Sequence, residues 1–365
     1  MDSPRLTIDL GKIEHNARSI VGLCRGHGIE VAGVTKVTCG HPGVAGAMLR
    51  GGVSTIADSR LENIRRLRSA GLHTSLMLLR VPPLSGVREV VETVDISVNS
   101  ELSVLAALSA AAFRQGRVHD VMLMVKLGDL REGILPQDLA PLVAQAVKLP
   151  GIRIRGLGTN LACFAGVMPG EDSMRRLVEL GGDIERRFGL NIEWLSGINS
   201  SGLELVSAGR MPKRINHARI GEAILLGRET TRRRPWPGTR QDAFILHAEV
   251  LELKCKPSLP RGELGEDAFG RRPQFEDRGE MLRALLNVGR EDVDVSGIAP
   301  LDARFTVVGA SSGYLLLDAT AAAGDIQVGD IVSFSLNYSA LLTAMTSEYV
   351  RKHALDTSAP AAGEG

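Results

Sequence analysis

The chain has 365 residues, with 43 Lys+Arg against 42 Asp+Glu (formal charge +1), 44% hydrophobic and 23% charged residues, and 4% aromatics. That length allows two domains, or one large barrel with an appendage, and the apolar content allows a sizeable buried core. A near-zero charge argues against a non-specific polyanion binder and the few aromatics against single-stranded nucleic acid; no apolar run reaches the ~20 residues that cross a bilayer.

Met1 to Arg5 lack the basic-then-apolar layout of a signal peptide. Residues 7–10 read as a strand and 13–24 as a helix. Short apolar runs then alternate with amphipathic stretches. The runs are 31–37, 54–59, 75–80, 95–99, 121–127, 152–160, 192–199 and 218–226; the helical stretches include 42–50, 60–69, 101–114, 136–148 and 172–188. Near-continuous hydrophobicity suits parallel strands covered on both faces, and eight of them make a closed barrel. The expected fold is α/β: a (β/α)8 TIM barrel over 11–230 followed by a β-rich domain over 240–354, which the N-terminal strand at 1–10 joins. Residues 228–235 read as a basic, solvated connector. The runs at 244–254, 284–288, 305–318 and 330–336 read as strands, and 355–365 as a disordered tail. Cys24, Cys39, Cys163 and Cys255 are widely spaced and form no CxxC pair. That spacing predicts neither disulfides nor a metal site, and fits a reducing cytoplasm.

In such barrels the site lies at the C-terminal ends of the strands. The run ends carry Lys36, Asp58, Arg80, Asn99, Lys126 with Arg131, Asn160, Asn199 to Ser201, and Arg219. This set is rich in cations and amides and poor in carboxylates, which suits an anionic ligand and not a hard divalent cation. Lys36 ends an apolar run. Two readings stand: an amine whose pKa burial lowers, fit for a Schiff base or proton transfer, or a packed stem with its head in solvent. Lys126 poses the same question, with a structural or positioning role favoured. The GxSxG match at 309–313 is flanked by strands on both sides, whereas a nucleophile elbow needs a helix after the turn. It is therefore not read as a hydrolase site.

Several short stretches in a fixed order carry a resemblance. They are LTIDL at 6–10 with Asn16; Thr35-Lys36-Val37 followed by Cys39-Gly40; GDLREG at 128–133; GINSS at 197–201; RIGE at 219–222; and LNYSALL at 336–342, followed by Met345, Thr346 and Ser347. Together they resemble the fold-type III pyridoxal-phosphate enzymes of the alanine racemase group, most of all its ornithine racemase-like branch. The resemblance implies pyridoxal 5′-phosphate as cofactor, with Lys36 as its covalent attachment point and the proton-transfer group on one face of Cα. It implies Arg219 beside the pyridine nitrogen, and Ser200 or Ser201, the backbone around Gly221, and Tyr338 around the phosphate. Arg131 is implied at the cofactor phenolate and the substrate carboxylate. In the related family the equivalent of Lys126 can carry a carbamate that holds that arginine.

The chain also departs from the alanine-type pattern. It has Cys39, Gly40 and His41 where a tyrosine follows the catalytic lysine, Asn160 in place of a ring-stacking histidine, and Arg290 aligned with the second catalytic tyrosine. The ornithine racemase-like branch usually shows Ser-Ser-Asp-His where this chain has Ser311-Ser312-Gly313-Tyr314, so the resemblance implies Tyr314 as the candidate second base. The expected function is a two-base racemase of an ornithine- or lysine-like amino acid, or of alanine, working as a head-to-tail homodimer. A decarboxylase or lyase of the same superfamily and a non-catalytic cofactor-binding protein are the alternatives. Asp58 and Glu222 are the carboxylates nominated to receive a cationic substrate tail.

Overall fold

The structure is a computed structural model that describes residues 3–357. It divides into two compact units, one formed by Leu10–Gln241 and the other joining the chain up to Asp9 with Asp242–Asp356.

Strand β1 (Arg5–Asp9) belongs to the second unit. The first holds a closed barrel of β2 (Glu30–Val34), β3 (Thr55–Asp58), β4 (Ser75–Leu78), β5 (Ile96–Asn99), β6 (His119–Met124), β7 (Ile152–Gly158), β8 (Trp194–Ile198) and β9 (His217–Ile220). All its strand pairs are parallel, and β2 closes on β9 with Ala32 opposite Arg219. β3, β5 and β8 are buried along their whole length, as strands covered on both faces are, including their polar residues Thr55, Asp58, Ser97, Asn99 and Ser196. Ala32, Val34, Ala57, Met77, Ile96, Val98, Met122, Met124 and Trp194 form the apolar core cluster of this unit.

Around the barrel lie α1 (Leu10–Arg25), α2 (Pro42–Arg50), α3 (Leu61–Ser69), α4 (Val87–Thr93), α5 (Leu102–Arg114), α6 (Pro136–Ala146), α7 (Glu171–Phe188), α8 (Leu203–Ser207) and α9 (Glu222–Leu225). Buried Asn16 on α1 donates to the Ile224 and Arg240 carbonyls and accepts from the Arg240 amide, which accounts for an amide in that apolar helix face. The connector at 228–235 is not a loose linker. Its arginines reach solvent, but buried Glu229 accepts from the Thr231, Arg232 and Arg234 amides and folds it into a turn.

Two strand ends differ from expectation, and both shape the site. The run at 31–37 stops at Val34, because the amides of Thr38 and Gly40 both turn back onto the Thr35 carbonyl and Cys39 takes a left-handed φ of 52°. The run at 218–226 breaks at Gly221, where an added Cβ would lie 3.1 Å from the Val34 side chain. The chain there turns into α9 instead of continuing as strand.

The second unit is an eight-stranded sheet of β1, β10 (Phe244–Pro257), β11 (Glu280–Leu286), β12 (Ile298–Pro300), β13 (Thr306–Ala310), β14 (Leu315–Asp318), β15 (Ile331–Leu336) and β16 (Arg351–Leu355), with α10 (Tyr338–Thr346) before its last strand. β1 runs antiparallel to β10 and parallel to β16. Residues 305–318, read as one run, fold into the β13–β14 hairpin, so the GxSxG match sits on a strand–turn–strand. Leu355, assigned to the tail, ends a paired strand; 358–365 lie outside the described residues. Among the described residues no helix is long and apolar enough to cross a membrane.

Candidate active site

Lys36 opens a single 3-10 turn (Lys36–Thr38) directly after β2 and is half-buried. The residue before it is anchored: Thr35 Oγ1 donates to Asp58 Oδ2 at 2.8 Å. Asp58, 0% exposed, also accepts from Asn63 Nδ2 at 2.9 Å and from the Arg60 amide at 3.0 Å. Arg66 bonds the Cys39 carbonyl from the same helix, so α3 grips both ends of the turn that presents Lys36. Burial raises the Asp58 pKa, against the lowering effect of these donors. The carboxylate nominated from sequence for a substrate tail is thus engaged in bracing the turn that carries Lys36. Glu222 is likewise buried and paired, with Arg233.

Arg219, 6% exposed on β9, reaches across the strand ends. It donates to the carbonyls of Ser196 (3.0 Å) and Thr159 and to Ser196 Oγ. Gly158 makes room for it: a Cβ there would lie 3.4 Å from its Nη1. Burial lowers its pKa to about 10, with Glu132 raising it and Arg131 lowering it, so it stays cationic at neutral pH. Ser196 Oγ lies 2.7 Å from His217 Nδ1, and His217 stacks on Trp194 with ring centroids 4.5 Å apart. Burial first, then the charges of Arg219 and Arg155, pushes the His217 pKa down to about 3. A guanidinium only donates, so the serine oxygen accepts from Arg219 and its hydroxyl donates to the neutral imidazole. The resulting relay fixes both the charge and the direction of Arg219.

Arg131 lies in the loop after β6. That loop is organised by Asp129, a buried carboxylate accepting from the amides of Leu130 (2.8 Å), Cys163 (2.9 Å), Phe164 (3.1 Å) and Ala165 (2.7 Å). Burial would raise its pKa, but the four amides prevail and hold it at about 2. Arg131 pairs with Glu132 through Nε (2.9 Å) and Nη2 (2.7 Å), and donates through Nη1 to Cys163 Sγ. The strand ends therefore hold more carboxylate than sequence indicated, and Asp58, Asp129, Glu132 and Glu222 are all occupied internally.

After β8, Asn199 donates to Asn160 Oδ1 (3.1 Å) and the Leu161 carbonyl (2.9 Å) and accepts from the amide and hydroxyl of Ser201. Ser200 Oγ accepts from the Ala223 amide at 3.1 Å, two residues past Gly221. The barrel thus brings Lys36, Arg131, Asn160, Asn199, Ser200, Ser201, Arg219 and Gly221 to its C-terminal strand ends. Tyr314 and Tyr338 belong to the other unit. Tyr314 is 49% exposed at the β13–β14 turn, and half-buried Tyr338 opens α10. Ser196, Thr159, His217, Asp129, Glu132 and Cys163 were not singled out from sequence. A serine or histidine inside a strand carries no pattern, while Asp129 and Glu132 flank Arg131 within the GDLREG stretch at 128–133, where the resemblance assigns a role to the arginine alone. Among the described residues no group of His, Cys, Asp or Glu could hold a metal ion.

A closed parallel barrel with an amine on the turn after one strand and a buried guanidinium on the adjoining strand, followed by a mostly antiparallel β unit, defines the (β/α)8 barrel class, in which the strand ends carry the chemistry. The chain belongs to the alanine racemase family: residues 8–229 match the alanine racemase N-terminal domain. It is 41% identical to an ornithine racemase of Acetoanaerobium sticklandii, over 96% of this chain and 99% of that one. It is 39% identical to a lysine racemase of Thermotoga maritima, over 96% and 98%. The fold matches an alanine racemase structure from Streptomyces coelicolor with a TM-score of 0.76 at 19% identity, over 96% of this chain and 97% of that one.

Proposed function

We propose that this protein is an amino-acid racemase that inverts the Cα centre of an ornithine- or lysine-like amino acid, with pyridoxal 5′-phosphate as its cofactor. Racemase activity follows from family membership and from two relatives of that activity, each aligned over 96% of this chain. The observation that carries the site assignment is the seam between β2 and β9, which sets the strand leading to Lys36 against the strand bearing the buried, triply bonded Arg219.

The residues fit such a cofactor. Thr159 Oγ1 and Asn99 Oδ1, both at strand ends, are buried without a hydrogen-bond partner, and polar atoms of that kind call for a polar ligand. Ser200, Ser201 and the Gly221 backbone are proposed to hold the phosphate together with Tyr338, with Asn160 and Asn199 bracing that side. Bound pyridoxal phosphate supplies the electron sink that acidifies the Cα–H bond. Arg219 presents a fixed cation that keeps its proton at neutral pH, which would oppose protonation of a ring nitrogen held beside it and so temper the electron sink. Lys36 Nζ moves the Cα proton on one face, and Tyr314 is proposed for the other, since inversion needs a proton-transfer group on each side. Arg131 orients the substrate carboxylate. A head-to-tail homodimer is proposed as the working form, and a cytoplasmic location fits four cysteines without a disulfide.

The test is incubation with a panel of L-amino acids in D2O, following Cα deuteration, chirality and CO2 release. Deuterated D-ornithine or D-lysine is expected. Release of CO2 selects a decarboxylase instead, and bound cofactor with no exchange on any amino acid selects a non-catalytic binder. Lys36→Ala is expected to abolish the visible absorbance of the attached cofactor; persistent colour would move the attachment elsewhere.

A further inference from the structure

We propose that Glu132 is the positioning residue that sets the Arg131 guanidinium for the substrate carboxylate, a task that then needs no carbamate on Lys126. This rests on the racemase reading and deepens it. Glu132 and Arg131 meet fork to fork, Nε to Oε2 at 2.9 Å and Nη2 to Oε1 at 2.7 Å. Such a pair fixes the plane of a guanidinium, not merely its place. Both side chains are mostly shielded, at 30% and 24% exposure, so the pair is not a loose surface contact.

The loop is built to hold a carboxylate there. At its far end the Ile134 amide returns to the Met124 carbonyl (2.8 Å) and the Lys126 amide to the Ile134 carbonyl (2.9 Å). Gly133, at φ 142°, runs so close to Lys126 that a Cβ would lie 2.9 Å from the Lys126 amide nitrogen. At its near end Asp129 ties Leu130 to the loop at 163–165. Arg131 and Glu132 are the two residues left between these ties. Glu132 and Cys163 engage three of the five guanidinium N–H groups, so two remain for an incoming carboxylate. Lys126 meets this loop through its backbone amide. The charge of Glu132 also reaches Arg219, where it opposes the effect of Arg131 and so balances two guanidiniums that stand near one another.

The experiment compares the full-length, cofactor-loaded wild type with Glu132→Ala, Glu132→Gln and Glu132→Asp. It measures kcat and KM for L-ornithine and, without reliance on turnover, the calorimetric Kd for L-ornithine. Glu132→Ala is expected to weaken binding and raise KM by about 10–100-fold, the scale on which a misplaced binding group acts. Added formate should restore part of that loss in Glu132→Ala, where a carboxylate-sized space is open, and none in Glu132→Gln, where the amide fills it. Glu132→Asp should fall between, its carboxylate being too short to meet both nitrogens. Wild-type kinetics should be unchanged in bicarbonate-free buffer. Wild-type Kd and KM in Glu132→Ala overturn the inference. So does a loss that formate cannot rescue, or a wild type that requires bicarbonate. A wild type that binds ornithine but exchanges no Cα hydrogen defeats the racemase reading instead, and the Kd series then still decides the role of Glu132.

Discussion

Asp58, fully buried, accepts on its two oxygens from three donors, Thr35 Oγ1, Asn63 Nδ2 and the Arg60 amide. Replacing it with Asn puts an amide donor against one of these donors inside an apolar shell. Asp58→Asn should therefore destabilise the protein by about 1–3 kcal/mol in urea unfolding, the cost of leaving a buried donor unmet. Its effect on activity should be the same for basic and neutral amino acids, because it acts on the turn carrying Lys36. A KM increase confined to ornithine and lysine would show that Asp58 does read the substrate tail. At Arg219, Ser196→Ala removes the hydroxyl between the guanidinium and His217 while both carbonyl bonds stay. Activity is expected to fall about tenfold, the value of one lost bond near 1.4 kcal/mol, with cofactor affinity little changed. Unaltered kcat and KM in that variant would mean that the two carbonyls alone position the arginine. Lys36 was legible from sequence as a charge at the end of an apolar run, and Arg219 through the RIGE stretch at 219–222. Ser196 was not, because its partner lies 21 residues away on the next strand and neither residue departs from an ordinary strand composition.

The stretch from Gly128 to Ile134 is held by the Asp129 carboxylate more than by any regular structure, so its order should follow the charge of that group. The folded pKa near 2 lies below the ordinary carboxyl value of 3.8. Protonation is thus harder in the folded state, and the contribution is fully present above pH ~4 and lost as pH falls toward ~2. Hydrogen exchange at the amides of Cys163, Phe164 and Ala165 is expected to be slow at pH 5–7 and to lose protection across that acid window. Asp129→Asn should lack the protection at every pH, while the barrel strands stay protected. Equal protection in both proteins would show that the loop is ordered by packing alone. The same logic separates the elements that sequence made visible from those it did not. Unbroken apolar runs and amphipathic helices such as Pro42–Arg50 have a period of their own, and the barrel could be read from them. The anchoring of Thr35 before the Lys36 turn, the break at Gly221 and strand β16 depend on contacts with distant strands, through Ala57, Val34 and β1 respectively, and a local pattern cannot register them.

With 43 basic and 42 acidic residues, the molecule has almost no net charge to repel itself near neutrality, so its acid sensitivity should come from individual buried groups. Two histidines in the barrel unit stand out. His119, bonded at 2.8 Å to Ser97 Oγ, is pushed by burial to about 4, against the pull of Asp120 and Asp95, and His217 is pushed to about 3. Both lie below the ordinary imidazole value of 6.5. The folded protein therefore keeps both rings neutral at a pH where the unfolded chain has already taken up two protons. The sign follows: stability is flat above pH ~7 and falls as pH drops below ~6.5, by about 1.4 kcal/mol per pH unit for each histidine until the folded pKa is reached. Between pH 6.5 and 5 this amounts to about 2 kcal/mol for each ring. His119→Gln keeps a hydrogen-bonding group beside Ser97 but cannot titrate, so it should flatten the slope without abolishing it, since burial also lowers His217, His41 and His247. Urea midpoints of both proteins at pH 7.5, 6 and 5 give the comparison. Parallel slopes would trace the acid loss to other groups, whereas a flatter variant shows that the barrel's resistance to acid is set by imidazoles it has to keep uncharged.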